Sequence, residues 1–338
     1  MKSASFVACL AIVAGCNVVE NPSPAEDCAR SPEHASRVET FLVVGHRGAA
    51  AKEVENTIPS MERALADGAN AVEIDLSLTK DGVVILWHDW DPDDAIALGR
   101  QSGSEANQHA RPRVPPEGDP FRRPIDELTL EEVRQHFGYT VDDRPAPVEI
   151  PTLDTFLEWA STKSELAYVL FDIKIPGGRA DRADVMIPKV REAVAAKAPA
   201  LRYVLLVAHG SVYDRASPLV PDDAISYDVD PGVIAVDDAE CSDSSSERAV
   251  DRGRGYASTV APMGVGPEAW STLQTLVTCD LDARDRTDPP VAPKKVFVAT
   301  IDDREQAECL IDMGVDGILS DDPGSLRRIA DDKRGFSR

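Results

Sequence analysis

The sequence lacks an excess of positive charge, and this absence excludes whole classes of partner. Its 338 residues include 36 Lys and Arg against 59 Asp and Glu, which gives a formal net charge of −23. A chain this acidic repels nucleic acids and anionic membrane surfaces, so neither is expected as a partner. If the ligand is an anion, the positive charge that binds it has to come from individual Arg or Lys side chains or from a metal ion.

The N-terminal apolar stretch, residues 6–14, is too short to span a bilayer. It follows Lys2 and ends in Val-Ala-Gly-Cys, a pattern typical of bacterial lipoprotein signal peptides. We therefore expect residues 1–16 to be a signal peptide and Cys16 to carry a lipid anchor, so that the protein is exported and membrane-anchored, in the periplasm or on the cell surface. An ordinary secretory peptide is the alternative. Residues 17–39 are rich in polar residues and Pro, and we predict a flexible tether.

The six cysteines lack the spacing of a zinc site. One lies in the expected signal peptide and one is the expected lipid attachment point. The four that remain are Cys28, Cys241, Cys279 and Cys309. In an oxidising compartment they allow three disulfide pairings, and the sequence alone does not choose among them. We favour Cys241 with Cys279, because both lie near predicted loops in the C-terminal half.

The rest of the chain contains no internal repeat, but short apolar runs alternate with segments compatible with helices. The runs cover residues 41–45, 70–76, 168–175, 202–208, 224–229, 256–260, 295–300 and 315–319. Eight strand–helix units in about 290 residues predict an α/β fold, a (β/α)₈ TIM barrel, over residues 40–332. Residues 333–338 would form a C-terminal tail. A doubly wound sheet is the structural alternative.

Residues 89–150 interrupt this alternation and are rich in Pro, Asp, Arg and Gly. A further apolar run at 83–87 is predicted to extend the second strand as a hairpin. We interpret 89–150 as an inserted cap region over the mouth of the barrel, with a helix at 130–137. A disordered loop over residues 99–120 is the alternative.

The alternation of residues along two predicted strands indicates that their acidic side chains face the interior of the barrel. Glu73 and Asp75 alternate with apolar residues in the second run, and Asp172 and Lys174 do so in the third. Carboxylates that converge repel each other unless a proton or a cation intervenes, and hard divalent cations prefer carboxylate oxygens. The pattern predicts a metal site formed by Glu73, Asp75 and Asp172. A buried ion network with Arg47 and Lys174 is the alternative.

Two histidines and an arginine stand at the predicted ends of strands beside these carboxylates. His46 follows the first run and His88 follows the hairpin, so both are expected at the rim of the mouth. Imidazole exchanges protons near neutral pH, and a pair of imidazoles can act as general base and general acid. The guanidinium of Arg47 can hold two phosphate oxygens, and Lys174 is expected in the mouth. His209, at the end of the fourth run, is a further candidate for lining the mouth.

The order of these motifs resembles the glycerophosphodiester phosphodiesterase family. The segments that carry the resemblance are His46-Arg47-Gly48, Glu55-Asn56-Thr57, Glu73-Ile74-Asp75, residues 79–82, His88-Asp89, residues 150–153, Asp172-Ile173-Lys174 and residues 316–323. The resemblance spans residues 41–324 and is weak over 200–290. It implies a (β/α)₈ barrel that uses one divalent cation, Ca²⁺ or Mg²⁺, to hydrolyse glycerophosphodiesters to sn-glycerol 3-phosphate and an alcohol.

Carried over position by position, the resemblance implies that Glu73, Asp75 and Asp172 are metal ligands. It implies that His46 and His88 are the acid–base pair, with His46 as the base and His88 as the acid in the assignment we favour. The nucleophile is either water or the 2-hydroxyl of the substrate's own glycerol.

The resemblance also implies that Arg47 contacts phosphate, and we add Lys174 as a second substrate-binding cation. Two departures from the family pattern stand out. Asp172 occupies a position where the family usually has Glu, and residues 298–300 read Val-Ala-Thr where a Trp-Thr pair is typical. The second departure bears on the pocket for the alcohol.

Two other functions remain open at this point. The first is a phospholipase-D-like phosphodiesterase that acts on sphingomyelin or lysolipids on the same barrel. The second is a catalytically silent lipoprotein that captures phosphodiesters. The polar character of residues 89–125 counts against the first, and the presence of both His46 and His88 counts against the second.

Overall fold

The structure is a computed structural model that describes residues 28–105, 107–220, 225–229, 240–245, 256–260, 267–286 and 295–334. The strands of these residues, in chain order, are β1 (Leu42–Gly45), β2 (Ala71–Leu78), β3 (Val84–Leu86), β4 (Arg111–Arg113), β5 (Gly138–Val141), β6 (Arg144–Pro145), β7 (Tyr168–Ile173), β8 (Tyr203–Val207), β9 (Ile225–Val229), β10 (Tyr256–Val260), β11 (Lys295–Ala299) and β12 (Gly317–Ser320).

The α-helices of the same residues are α1 (Pro32–Ser36), α2 (Ile58–Ala66), α3 (Ala95–Ser102), α4 (Leu130–His136), α5 (Leu153–Ala160), α6 (Ala183–Lys197), α7 (Gly210–Ala216), α8 (Pro267–Asp285), α9 (Arg304–Met313) and α10 (Pro323–Arg334). Several begin at a side chain that accepts a bond from a free backbone N–H group of the first turn, such as Thr57, Asp94 and Asp303. The helix predicted at 130–137 is confirmed as α4, which starts at a Thr129–Glu132 capping box.

Eight parallel strands form the barrel, in the order β1, β12, β11, β10, β9, β8, β7 and β2. The pairing of β1 with β2, in which Val44 lies opposite Ala71, closes the ring. The expected (β/α)₈ barrel is therefore confirmed, and a doubly wound sheet is excluded. The eight apolar runs of the sequence coincide with these eight strands. The predicted hairpin is also confirmed, because β3 pairs antiparallel with the end of β2.

The parity predicted for β2 and β7 holds. Val72, Ile74 and Leu76 belong to the large apolar cluster between the sheet and the helices, together with Val169 and Phe171. Ala71 and Leu170 belong to a smaller cluster inside the barrel. Glu73, Asp75 and Asp172 therefore share the inner face, nearer the carboxyl ends of the strands.

The region 89–150 forms an ordered insertion in the residues that the structure describes. It contains α3, α4, and the small sheet of β4, β5 and β6. Its own apolar cluster includes Ile125, Phe137 and Tyr139, and it packs on Trp87 and Ile85 of the hairpin. This apolar contact supports the insertion against the barrel, and α3 and the loop after it reach the barrel mouth.

The expected flexible tether at 17–39 is wrong for residues 28–39, and residues 17–27 lie outside the described part. A disulfide joins Cys28 to Cys309 of α9. A Cβ atom at Gly314 would lie 2.4 Å from the backbone nitrogen of Ala35, so α1 packs directly on the turn after α9. Polar composition suggested a tether, but the covalent link and this close contact fix the segment on the face of the barrel opposite the mouth.

The second disulfide joins Cys241 and Cys279, as favoured from the sequence. Among the residues described, no helix has the length and apolar character needed to cross a membrane. The predicted signal peptide, residues 1–16, lies outside the described residues.

Candidate active site

Three carboxylates converge at the carboxyl ends of β2 and β7. The two strands are neighbours, and their register places Asp75 opposite Asp172, with Glu73 one inward position earlier. One oxygen from each of Glu73, Asp75 and Asp172 lies within 4.8 Å of the other two. Glu73 and Asp75 are buried, and Asp172 is partly buried. The structure thus brings together the three residues predicted as metal ligands.

The carboxylate of Asp75 is held by Asn56. The Asn56 side chain donates to Asp75 Oδ2 over 2.6 Å and accepts from the Asp75 backbone N–H over 3.0 Å. Asn56 adopts a left-handed backbone conformation with φ of 55°, which Asn tolerates better than most residues. Sequence reasoning noted Asn56 only as part of a motif and assigned it no role in orienting Asp75.

The ion network considered as an alternative is present in part. Lys174 Nζ lies 3.1 Å from Asp75 Oδ1 and 2.5 Å from Asp172 Oδ2. Lys174 and the Arg47 guanidinium, whose Nε lies 3.1 Å from Asp75 Oδ2, thus meet Asp75 and Asp172, whereas Glu73 accepts a hydrogen bond from the Arg47 backbone N–H. Glu73 Oε1 is buried and has no hydrogen-bond partner among the described residues. Burial and the charge of Asp75 raise the pKa of Glu73 to about 8.

These features fit a divalent cation. A buried carboxyl oxygen without a donor is costly, and a hard cation is the ligand that such oxygens prefer. Glu73, Asp75 and Asp172 would hold the ion, and the smaller side chain of Asp172 still lies close enough to contribute an oxygen to the group. Asp172 therefore still supplies the third carboxylate of the site, although its side chain is shorter than that of Glu.

His46 follows β1 and is held by residues from the opposite end of the chain. Its Nδ1 lies 2.7 Å from Asp321 Oδ1 and 3.4 Å from Thr300 Oγ1. Its Nε2 lies 3.9 Å from Glu73 Oε2, so the ring faces the carboxylate cluster. Because a carboxylate only accepts, Asp321 fixes Nδ1 as a donor and leaves Nε2 available to the mouth.

His88 is oriented by the residue next to it in the chain. Its Nδ1 lies 2.6 Å from Asp89 Oδ1. The hairpin brings it to the level of Asp75, because the backbone N–H of Trp87 donates to the Asp75 carbonyl over 3.1 Å. Both predicted histidines therefore stand at the mouth, each with Nδ1 held by an aspartate. Asp321 and Asp89 were noted in motifs but not assigned this orienting role, which their position just after strand ends could have indicated.

The surroundings shift the two imidazoles in opposite directions. Burial is the largest influence on His46 and lowers its pKa, as does Arg47, but Asp321 and Glu73 outweigh both and raise the pKa of His46 to about 9. Burial and the nearby cations, led by Lys174, hold the pKa of His88 well below its ordinary value. These opposite shifts favour the protonated form of His46 and the neutral form of His88 at neutral pH.

Gly45 and Gly48 form a tight turn after β1, in which the Gly48 N–H donates to the Gly45 carbonyl over 3.2 Å. A Cβ atom at Gly45 would lie 2.4 Å from the Gly48 carbonyl oxygen, and Gly48 has a φ of 91°. The turn places Arg47 in a left-handed conformation with φ of 50°, and its backbone N–H donates to Glu73 Oε2 over 2.8 Å. Backbone geometry accounts for both glycines.

The guanidinium of Arg47 is buried and shared among carboxylates. Its Nη1 donates to Glu55 over 3.0 Å and to Glu105 over 2.9 Å, and its Nε lies 3.1 Å from Asp75 Oδ2. Arg100 of α3 joins the same network through Glu55 and Glu105. Arg47 is therefore at the site as predicted, but Glu105 of the insertion occupies part of its hydrogen-bonding capacity.

His209, the further candidate, lies at the start of α7 and is exposed. Residues from the insertion were the ones that sequence reasoning missed altogether. Glu105 contacts Arg47, and Asn107 donates to Asp302 over 2.8 Å across the mouth. Asp302 in turn accepts from the backbone N–H of Asp321 over 2.9 Å, which supports the partner of His46.

Parts of the chain are similar in sequence to known proteins. Residues 46–208 match the Glycerophosphoryl diester phosphodiesterase family. A glycerophosphodiester phosphodiesterase from Caldanaerobacter subterraneus subsp. tengcongensis is 30% identical over 129 residues, which is 38% of this chain and 44% of that protein. The lysophospholipase D GDPD3 of Mus musculus is 38% identical over 72 residues, 21% of this chain and 20% of that protein. The chain thus spans less than half the length of these curated relatives.

Solved structures extend the likeness in fold to most of the chain. A protein from Silicibacter pomeroyi DSS-3 assigned as a glycerophosphoryl diester phosphodiesterase has a TM-score of 0.62 at 23% identity, covering 88% of this chain and 95% of that one. An Oleispira antarctica phosphodiesterase in complex with the product sn-glycerol-3-phosphate has a TM-score of 0.57 at 19% identity, covering 88% and 99%. At these identities the structures show a shared fold.

Proposed function

We propose that the chain, which matches the glycerophosphoryl diester phosphodiesterase family over residues 46–208, is a member of that family and hydrolyses glycerophosphodiesters to sn-glycerol 3-phosphate and an alcohol. The observation that carries the proposal is the convergence of Glu73, Asp75 and Asp172 beside two histidines that are each held by an aspartate. The product sn-glycerol-3-phosphate bound to the similar Oleispira antarctica fold supports this substrate class.

We propose that Glu73, Asp75 and Asp172 hold one divalent cation, Ca²⁺ or Mg²⁺. When bound, such a cation supplies a Lewis acid that polarises the phosphoryl group and offsets its negative charge. The buried Glu73 Oε1 without a donor and the raised pKa of Glu73 support a cation at this position.

Arg47 and Lys174 are the proposed phosphate-binding side chains. Both guanidinium and ammonium stand next to Asp75, so a phosphate near the three carboxylates meets both positive charges. Arg47 Nη1 donates a hydrogen bond to Glu105. We propose that the substrate phosphate shares this donor with Glu105 or displaces Glu105 from it. An acidic protein thereby provides the local positive charge that an anionic substrate requires.

The pKa directions support a division of roles between the histidines that is the reverse of the one favoured from the sequence. His88 is neutral at pH 7 and can accept the proton of the attacking hydroxyl or water through Nε2. His46 is protonated and can donate through Nε2 to the oxygen of the leaving alcohol. Glu73 would hold the cation with the carboxylate that faces His46, and the offset of that charge would move the pKa of His46 towards neutrality, where a general acid is effective.

A product assay tests the proposal. Purified protein is incubated with glycerophosphocholine and with either Ca²⁺, Mg²⁺ or EDTA, and sn-glycerol 3-phosphate is measured enzymatically. We expect release of glycerol 3-phosphate that requires one of the cations. Binding of glycerophosphocholine without product would instead support a silent capture protein. Hydrolysis of lysophosphatidylcholine in preference to glycerophosphocholine would support the lipid-directed alternative that the lysophospholipase D relative represents.

We further propose that the protein is exported and anchored to a membrane through a lipid on Cys16. The support is the sequence pattern of residues 13–16. Expression in a bacterial host with and without Cys16→Ser, followed by separation of membrane and soluble fractions, tests this. Equal membrane association of both forms would contradict a lipid anchor at this residue.

A further inference from the structure

Arg100 lies on α3 of the insertion, and its side chain extends to carboxylates at the mouth of the barrel. Its side chain is 3% exposed, although it comes from a helix whose neighbouring residues Ile96 and Leu98 are largely exposed. The helix is held in place at both ends, because Asp94 accepts the backbone N–H of Ala97 and Gly103 adopts the left-handed conformation that ends it. The insertion thus holds the buried guanidinium of Arg100 in a defined position.

Three nitrogens of Arg100 meet three different carboxylates. Nη2 contacts Glu55, Nη1 contacts Glu105, and Nε lies 2.9 Å from Asp89 Oδ1. A planar guanidinium can meet three acceptors at once, whereas the single ammonium of a lysine cannot reproduce this arrangement. The Arg100–Asp89 contact is an ion pair, so the guanidinium stabilises the negative charge of Asp89 at this position.

The Asp89 oxygen that faces Arg100 is also the oxygen that holds His88. Asp89 Oδ1 lies 2.6 Å from His88 Nδ1, while Asp89 Oδ2 is buried and has no hydrogen-bond partner among the described residues. Burial raises the pKa of Asp89 to about 6, and Arg100 is the strongest influence in the opposite direction. Without Arg100, Arg47 is the remaining cation that favours the ionised form of Asp89.

We propose that Arg100 is a positioning residue of the reaction, which acts through Asp89 to hold His88 with a proton on Nδ1 and a free Nε2. This inference rests on the proposed function for its catalytic consequence. The insertion then contributes to acid–base catalysis, because Arg100 of α3 contacts Asp89 and Asp89 contacts the imidazole of His88. His46 is held directly by Asp321 and Thr300 of the barrel, and the insertion reaches it only indirectly, through Asn107 and Asp302.

The structural test compares Arg100→Gln with Arg122→Gln in protein labelled with ¹⁵N-histidine and supplied with Ca²⁺. Arg122 is the matched control, since it lies in the same insertion, is mostly buried and bonds to Asp93 and to the carbonyls of Pro92 and Pro115. We expect Arg100→Gln to abolish the Nδ1–H tautomer signature of His88 and to leave that of His46 unchanged. Arg122→Gln is expected to leave both unchanged.

The kinetic test uses glycerophosphocholine hydrolysis. We expect kcat to fall about 100-fold in Arg100→Gln, which is the smaller end of what a positioned base contributes, with a smaller effect on KM. Asp89→Asn should lose a similar factor, and Arg100→Gln in the Asp89→Asn background should cause no further loss, because both changes remove the same support of His88. Arg100→Ala should regain activity when millimolar guanidinium is added.

Each outcome decides the inference. If Arg100→Gln keeps both the His88 signature and the wild-type kcat, or if the losses from Arg100→Gln and Asp89→Asn multiply, the inference is overturned. If Arg100→Gln loses the His46 signature as well, Arg100→Lys decides, because it keeps the charge without the three contacts. Loss of the His88 signature alone in that variant supports the inference, and wild-type behaviour overturns it. Wild-type protein without hydrolysis would remove the proposed function while the histidine spectra still decide the structural link.

Discussion

His46 Nδ1 lies 2.7 Å from Asp321 Oδ1, although the two residues are separated by 275 positions in the chain. The contact exists because the first and last strands of the barrel are neighbours, with Gly45 paired to Ser320. Barrel closure therefore assembles one of the two proposed proton-transfer groups, while the hairpin and the insertion assemble the other. The direct partner of each imidazole thus comes from a different part of the fold.

The first prediction concerns the division of roles between the histidines. His46→Ala and His88→Ala should each lower kcat on glycerophosphocholine by about 100-fold or more, because each removes a proton-transfer group. With a p-nitrophenyl diester, whose leaving group needs no proton, His46→Ala should recover most of its rate and His88→Ala should not. Steady-state rates on both substrates measure this. The opposite pattern would restore His46 as the base.

The second prediction concerns the carboxylate cluster. Asp172→Ala should weaken Ca²⁺ or Mg²⁺ binding by about 10- to 100-fold, since a contact to a charged group is worth about 1.5–3 kcal/mol. Asp172→Glu should retain binding, because it supplies the same oxygen on a longer side chain. Calorimetric titration measures the affinities, and Asp181→Ala is the control, as Asp181 is an exposed carboxylate. An unchanged affinity of Asp172→Ala for Ca²⁺ and Mg²⁺ would show that Asp172 is not a ligand of the cation.

The third prediction concerns stability in the absence of metal ions. The pKa of His46 is raised to about 9 and that of Glu73 to about 8, so the folded state binds more protons than the unfolded state between pH 6.5 and 9. Stability is therefore greatest at the lower end of this window and falls as the pH rises, with a slope of about 1.4 kcal/mol per pH unit for each proton retained. The depressed pKa of His88 acts in the opposite sense, but only below pH 6.5.

Urea unfolding in EDTA at pH 6.5, 8 and 9 measures this slope. His46→Gln should flatten it, because the variant no longer retains the imidazole proton. Added Ca²⁺ or Mg²⁺ should restore stability most strongly at pH 9, where the cation competes with fewer protons at Glu73. A free energy of unfolding that stays constant or rises over this window in EDTA would contradict the charge balance described for His46 and Glu73.

The fourth prediction concerns Glu105, whose carboxylate bonds to Arg47 Nη1. Glu105→Gln should tighten binding of sn-glycerol 3-phosphate by about fivefold, because it removes a negative charge that competes with phosphate and a partly buried pair of this kind is worth about 1 kcal/mol. Inhibition constants for sn-glycerol 3-phosphate measure the change. Glu117→Gln, an exposed acid in the same insertion, is the control. Weaker binding in Glu105→Gln would mean that Glu105 organises Arg47 rather than competing for it.

The parts of the site that could be predicted from the sequence are those fixed by local geometry. The alternation along β2 determines that Glu73 and Asp75 share the inner face, and hydrophobic runs locate the strand ends where His46 and His88 stand. The charge and spacing of these residues were sufficient to indicate a cation and a phosphate.

The parts that could not be predicted depend on contacts between distant segments. Arg100 meets Glu55 across 45 positions, and only the packing of the insertion on Trp87 and Ile85 determines that contact. The polar composition of residues 28–39 suggested a tether, because the disulfide that fixes this segment joins Cys28 to Cys309 across a sequence separation of 281. Local pattern also did not indicate that Glu105 would lie on Arg47.

The position of Cys28 has a consequence for how the molecule meets its surroundings. Cys28 is bonded to α9 near the pole of the barrel that lies away from the carboxylate cluster, so any preceding chain departs from that pole. An anchor that precedes Cys28 would therefore be attached at that pole. The entrance to the carboxylate cluster lies at the other pole, away from such an attachment point.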